Sequence, residues 1–318
     1  MWKKITVLCL GFFCILNLTA CGRKETTTKS MAVYTVTDVS GHKLKLTQKP
    51  QRIVSLNVST DEILNKLVGP ERIAAFSKLA DNAGISTIPK EDLQKVKLRV
   101  DAQGTEAILA TRPDLVVIAD WRGAELPEAL RGVGINVFVY KTPTTVQDIK
   151  DTIKLLGQIT GEPNKAAEMV GSMEQRLQTL RNKLGIIPRE KQVKVVALSF
   201  MGAFGGKDTT FDDECAYAQV RNMVAEKNIF KAGNVSKEAI VGMNPDLLIM
   251  PSWDFGEKKT ARDFLQETLQ DPSLQTVTAI QKKNLVQVQD AYLYSTSQDC
   301  VLAIEELARA AYPEKFKE

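Results

Sequence analysis

Short apolar runs alternate with stretches of helical spacing along most of the chain. The clearest helical stripe lies in residues 164–184, where Ala166, Met169, Val170, Met173, Leu177, Leu180 and Leu184 recur three and four apart and share one face. Gly161 and Pro163 punctuate its start, and Gly185 followed by Pro188 ends it. At about 1.5 Å per residue this stretch spans roughly 30 Å, close to a small domain's diameter. Its place between two similarly patterned halves predicts a rigid strut, residues 161–187, joining an N-terminal lobe (32–160) to a C-terminal lobe (188–318). An ordinary core helix of a single domain would carry the same pattern.

The N-terminal half opens with alternation in residues 34–38 and 43–47 around Ser40-Gly41, which predicts a β-hairpin with His42, the only histidine, at its turn. A lone turn histidine is assigned no role. Residues 52–57, 72–77, 115–119 and 135–140 read as buried strands. A helix is expected to enter at Ser59 or Thr60, and others over 105–110 and 126–131. Thr144 with Gln147 offers a capping box for a helix carrying Val146, Ile149, Ile153, Leu156 and Ile159. The order β-α-β-α-β points to a parallel sheet covered on both faces.

After the strut the pattern restarts. Strands are expected at 193–200, 247–250 and 284–288, and helices at 217–226, 263–270 and 299–311, the last stacking Leu302, Leu307 and Ala310. One repeat ties the halves together: TEAILATRPDLVVIADW (105–121) and KEAIVGMNPDLLIMPSW (237–253) share seven of seventeen positions without gaps, each offset by 132. Unrelated segments of this length would share about one, so internal duplication is favoured over convergent loop chemistry. Each copy predicts a short helix opened by Glu106 or Glu238, a Pro-Asp turn, a buried strand, and Trp121 or Trp253 just beyond it. The expected fold is therefore α/β, two Rossmann-like lobes with parallel sheets, and a ligand cleft between them.

Composition changes this picture mainly at the N-terminus. Lys3 and Lys4 precede an apolar run over residues 5–20, too short for a comfortable membrane span and typical of an export signal. It ends Leu-Thr-Ala-Cys-Gly, which resembles the bacterial lipobox, so residues 1–20 read as a signal peptide and Cys21 as the lipidated mature N-terminus. An uncleaved anchor or a plain secretory peptide is the alternative. Acyl chains contribute about 0.8 kcal/mol per buried CH₂, enough to hold the protein extracytoplasmically at the membrane face through a polar tether ending at residue 31. Hydrophobic content of 44%, 25% charged residues and a net charge of +4 are ordinary, and give no nucleic-acid footprint. Of the five cysteines, Cys215 and Cys300 remain after the leader and Cys21. A disulfide between them would close a long loop, contributing about 4 kcal/mol; two free thiols are equally compatible with the spacing.

Ligands of open α/β sheets lie beyond the carboxyl ends of strands, and clefts between domains are favoured. The residues that follow the expected strands are Asn57, Ser59, Lys78, Trp121, Arg122, Tyr140, Phe200, Phe204, Trp253, Tyr292 and Tyr294. Large aromatic walls with a few polar groups suit a bulky, partly apolar ligand. No catalytic constellation accompanies them: there is no G-x-S-x-G, and Gly202–Asp208 has the wrong spacing for a phosphate loop. Asp212-Asp213-Glu214 reads as a solvated helix start rather than a cation site, and zinc would lack ligands. Neither an enzymatic activity, a resident metal nor a cofactor is expected.

The segments TDVSGHKL (37–44), KPQRIVSL (49–56), EAILATRPDLV (106–116), GINV (134–137) and NIF (228–230) resemble the helical-linker solute-binding lipoproteins of ABC importers, which capture ferric siderophores, haem or vitamin B12. ADWRG (119–123) is most similar to the vitamin B12-binding member, in which a Trp at this position faces the ligand. The resemblance implies two lobes joined by one long helix, small hinge motion, and delivery to a permease dimer with its ATPase. It also implies that Glu106 and Glu238 dock into arginine pockets of the permease, a pairing that suits a pseudo-twofold partner. Both glutamates would equally favour their own helix N-termini. Metal-ion-binding relatives use several histidines, which this chain lacks, and haem would need Met or Tyr in place of an axial His. The expected ligand is a small-molecule iron chelate bound by a monomer, with a corrinoid as the alternative; Arg99, Arg122 and Lys78 would assist an anionic chelate if they line the cleft.

Overall fold

The computed structural model describes residues 34–101, 104–230, 235–254 and 260–317. The expected leader, Cys21 and tether lie outside the described residues. Among those described, no helix is long and apolar enough to cross a membrane.

β1 (Tyr34–Thr37) and β2 (Lys43–Leu46) form an antiparallel hairpin. Asp38 takes the Ser40 and His42 amides on its carboxylate, and Gly41 turns the chain at φ +81. In β2 the alternation is literal, with Leu44 and Leu46 buried and the two lysines exposed.

The first lobe follows in the order β3 (Ile53–Ser55), α1 (Val58–Val68), β4 (Ile73–Ser77), α2 (Lys90–Lys95), β5 (Arg99–Val100), α3 (Thr105–Ala110), β6 (Leu115–Ala119), α4 (Glu125–Gly132) and β7 (Val137–Tyr140). Its strands pair in parallel as β5-β4-β3-β6-β7. The α1 cap differs from expectation. Asn57 is the N-cap, accepting the Thr60 amide, because its β-region backbone leaves the side chain over the first turn.

Then come α5 (Val146–Thr160) and α6 (Pro163–Leu184). Thr145, not Thr144, caps α5 by accepting the Asp148 amide, while Asp148 reaches back to the Thr144 amide. The strut expected over 164–184 is α6, with Pro163 in its first turn and Gly185 past its end.

The second lobe contains β8 (Lys194–Ser199), β9 (Gly202–Phe204), α7 (Thr210–Tyr217), β10 (Arg221–Asn222), α8 (Met223–Glu226), α9 (Lys237–Met243), β11 (Leu247–Met250), α10 (Ala261–Gln270), α11 (Thr278–Gln281), β12 (Leu285–Gln287), α12 (Asp290–Leu293) and α13 (Cys300–Ala311). Its parallel order is β10-β8-β11-β12, with β9 folding back antiparallel on β8. The helix expected over 217–226 is instead two helices split by β10. Thr209 caps the first one, and Gln219 at φ +55 breaks the run. On α13 the buried face is Val301, Ala303, Ile304, Leu307 and Ala308 rather than the stripe through Leu302 and Ala310.

The repeat occupies matching places. β6 sits between β3 and β7, as β11 sits between β8 and β12, and Leu115 pairs with Ile53 as Leu247 pairs with Val195. The shared Asp latches the neighbouring strand in each copy. Asp114 takes the Gln51 and Arg52 amides at 2.6 and 2.9 Å, and Asp246 takes the Lys194 amide at 3.0 Å. Its carbonyl in turn accepts from Asn136 in one half and from Asn284 in the other.

One face of each sheet feeds a single apolar core. Leu115 and Val117 of β6 meet it, as do Leu247 and Ile249 of β11, together with Ile153, Met173 and Ile304 from α5, α6 and α13. Val116, Ile118, Leu248 and Met250 face separate clusters on the outer sides. The α5 and α6 backbones approach closely, since a Cβ on Gly157 would stand 2.4 Å from Ala166 Cβ. Arg176 of α6 forks onto Glu305 of α13 at 2.9 and 2.7 Å. The long helix is therefore one member of a helical layer shared by both sheets, which limits how far one lobe can swing.

Candidate functional site

The carboxyl ends of both sheets border a cavity of about 400 Å³. Val58 after β3, Leu79 after β4 and the loop residue Ile85 form one wall. The opposite wall is the β8–β9 turn from Ser199 to Phe204, with Pro251 and Trp253 after β11 and Tyr294 after α12. Phe204 stacks at 4.8 Å from Tyr294 and 5.2 Å from Phe211, and Phe200 at 5.1 Å from Phe264. Met201 is 74% exposed at the tip of the turn, Leu79 55% and Tyr294 42%, leaving an apolar rim open. Burial and the Asp290 charge push the Tyr294 phenol up, which keeps it protonated.

Trp253 is set by its backbone. The Asp290 carboxylate accepts from the Ser252 amide at 2.8 Å and the Trp253 amide at 3.2 Å. Desolvation raises Asp290 to about 6. Gly84 of the first lobe lies so close that an added Cβ would stand 2.5 Å from Trp253 Cβ.

Of the residues singled out by sequence, the cavity gathers Phe200, Phe204, Trp253 and Tyr294. Trp121 does not line it. Its 3-10 turn, closed by Gly123 at φ +75, leaves the indole 58% exposed beneath the Arg122 guanidinium at 4.0 Å. Arg122 also donates to the Leu56 carbonyl. Asn57 and Tyr140 are committed to each other, Asn57 Nδ2 donating to the phenol at 2.8 Å, and Thr60 Oγ1 lies 2.6 Å from the same oxygen. Ser59 Oγ accepts the Thr296 amide at 3.0 Å and so bonds the two lobes. Tyr292 packs on the shared core. Lys78 pairs with Asp101 at 2.5 Å, and Arg99 forks onto Asp81 at 2.7 and 2.8 Å. The cations expected to assist an anionic chelate are thus engaged elsewhere.

Val58, Leu79, Ile85, Ser199, Met201, Ala203 and Pro251 were not foreseen as wall residues. A signal existed for the turn: the apolar run Phe200-Met-Gly-Ala-Phe204 surrounds a glycine, here at φ +112, as a tight antiparallel return requires.

Of the two readings the cysteine spacing leaves open, free thiols hold. Cys215 and Cys300 are free, buried thiols in the shared core, pushed well up by burial, and no disulfide joins them. The acidic triplet does open a helix, with Asp212 and Asp213 in the first turn of α7, but it is only partly solvated. Asp213 accepts the Val146 amide at 2.7 Å, and Glu214 is fully buried without a hydrogen-bond partner, its carboxyl raised by desolvation. Among the described residues no cluster of acidic, His and Cys side chains could hold a metal ion.

Glu106 and Glu238 are exposed in the first turns of α3 and α9. The Ser236 side chain caps α9 and holds the Glu238 carboxyl below its ordinary range.

The sequence pattern of the periplasmic binding proteins matches residues 53–292, which includes both parallel sheets and the cavity walls apart from Tyr294. The chain belongs to that family. It is similar to the Bacillus subtilis ABC transporter substrate-binding lipoprotein YvrC, 23% identical over 89% of this chain and 87% of that one. It is also 23% identical to the probable siderophore-binding lipoprotein YfiY of the same organism, over 91% and 92% of the two chains. A periplasmic binding protein from Veillonella parvula shares the fold, with a TM-score of 0.72 at 18% identity, over 89% of this chain and 99% of the other.

Proposed function

We propose that this binding protein is the extracytoplasmic substrate-binding lipoprotein of an ABC importer, and that it captures a bulky metal chelate, foremost a ferric siderophore, between its lobes. The observation that carries the reading is the apolar, aromatic cavity at the carboxyl ends of both sheets. Lipidated Cys21 would keep the protein at the membrane face. The chelate would leave unchanged, since among the described residues the walls offer no reacting group beside Ser199 and Tyr294. The similarity to YvrC and YfiY supports the same role.

Delivery would use Glu106 and Glu238, exposed and repeated by the internal duplication, against a permease dimer with its ATPase. The double variant Glu106→Lys with Glu238→Lys tests this in cells carrying the importer. Loss of uptake with chelate affinity intact is the expected result; full uptake by the double variant would end the docking assignment.

A further inference from the structure

The cavity walls contain aromatic, aliphatic, sulfur and hydroxyl groups but, among the described residues, no charged side chain. The cations that sequence suggested for an anionic chelate have other work. Lys78, next to Leu79, is held by Asp101; Arg99 is forked onto Asp81 while donating to the Leu98 and Leu93 carbonyls; Arg122 lies over Trp121. The ionisable group behind the Trp253 wall is an acid, Asp290, held by the Ser252 and Trp253 amides.

An anion entering such a space loses hydration and, among the described residues, meets no counter-charge on the walls. An uncharged complex loses little and gains contact with Phe204, Trp253 and Tyr294. From these observations we infer that the cleft selects its chelate for electroneutrality, taking a complex of zero net charge with an apolar periphery and rejecting polyanionic chelates. This inference rests on the transport reading above and narrows its ligand. In chemical terms, three singly ionised hydroxamates cancel the charge of a ferric ion, whereas three doubly ionised catecholates leave a trianion. Haem carries two propionates, and cobalamin has no such acidic periphery.

Equilibrium dialysis of residues 22–318 against a ferric trihydroxamate, cobalamin, a ferric tricatecholate and haem at low ionic strength tests the inference. The expected result is that a neutral complex binds at least tenfold more tightly than the trianion and haem. Equal or tighter binding of the trianion overturns the inference while leaving the transport reading intact. Failure of all four to bind removes both. As a gain-of-function check, Leu79→Arg places a guanidinium on the exposed rim. It should raise trianion affinity at least tenfold; an unchanged trianion affinity in the folded variant would count against charge as the selecting property.

Discussion

The Thr87 hydroxyl donates to the Asp299 carboxylate at 2.7 Å, bonding the first lobe to the start of α13 in the second. Two more bonds continue this seam: Ser295 Oγ donates to Glu62 at 3.1 Å, and the Thr296 amide donates to Ser59 Oγ. Ser59 follows the wall residue Val58, and Ser295 follows the wall residue Tyr294. The cavity and the seam therefore share two chain segments, at Val58-Ser59 and Tyr294-Ser295.

The seam should respond to pH. Burial raises Glu62 to about 7, with the Ser297 and Ser295 hydroxyls and the Thr87 amide opposing that rise and the Asp299 charge adding to it. Burial likewise raises Asp61 to about 7. A carboxyl raised on folding contributes stability that is whole below the unfolded value, falls as pH rises toward the folded value, and is gone above it. For Glu62 that window runs from 4.5 to about 7, and at about 1.4 kcal/mol per unit the loss is on the order of 3 kcal/mol. Thermal melts at fixed ionic strength should show Glu62→Gln reducing the fall in Tm across this window. A wild-type slope retained in the variant would exclude Glu62 as its source.

Gly84 sets the depth of the Trp253 wall. Since a Cβ there would stand 2.5 Å from Trp253 Cβ, Gly84→Ala must push the indole or its loop away. Overpacking of this kind costs about 1–3 kcal/mol. A displaced wall that loses a comparable contact energy to the chelate lowers affinity roughly five- to a hundredfold, with far-UV circular dichroism retained. Wild-type affinity in this variant would mean that the contact does not shape the cavity.

The two aspartates of the repeat should differ in weight. Asp114 accepts two backbone amides and Asp246 one. At about 1 kcal/mol per net hydrogen bond, Asp114→Ala should lower the urea midpoint more than Asp246→Ala. Equal shifts would refute the latch assignment.

Much of this architecture is legible in residue patterns. The gapless repeat places β6 and β11, and with them two corresponding sheet centres, because buried parallel strands read as continuous apolar runs. The striped stretch over residues 164–184 places α6 within a residue of its ends. Less was legible where distant residues meet. β5 has only Arg99 and Val100 and is fixed by pairing with β4. Lys78 reads as a free cation until folding brings Asp101 to it. Trp121 and Trp253 align in sequence, yet their surroundings separate them: one sits within a 3-10 turn and lies under Arg122, while the other is fixed by Asp290 from a different strand end.

The most direct measurement of the cleft assignment uses residues 22–318 carrying Trp121→Phe, which leaves Trp253 as the sole tryptophan. Its emission is followed while an electroneutral ferric chelate is added. Saturable quenching at one chelate per chain is expected, and it should be lost when Phe204→Ala and Tyr294→Ala strip the facing wall. Binding by dialysis with no change in Trp253 emission would place the ligand elsewhere and contradict the cleft.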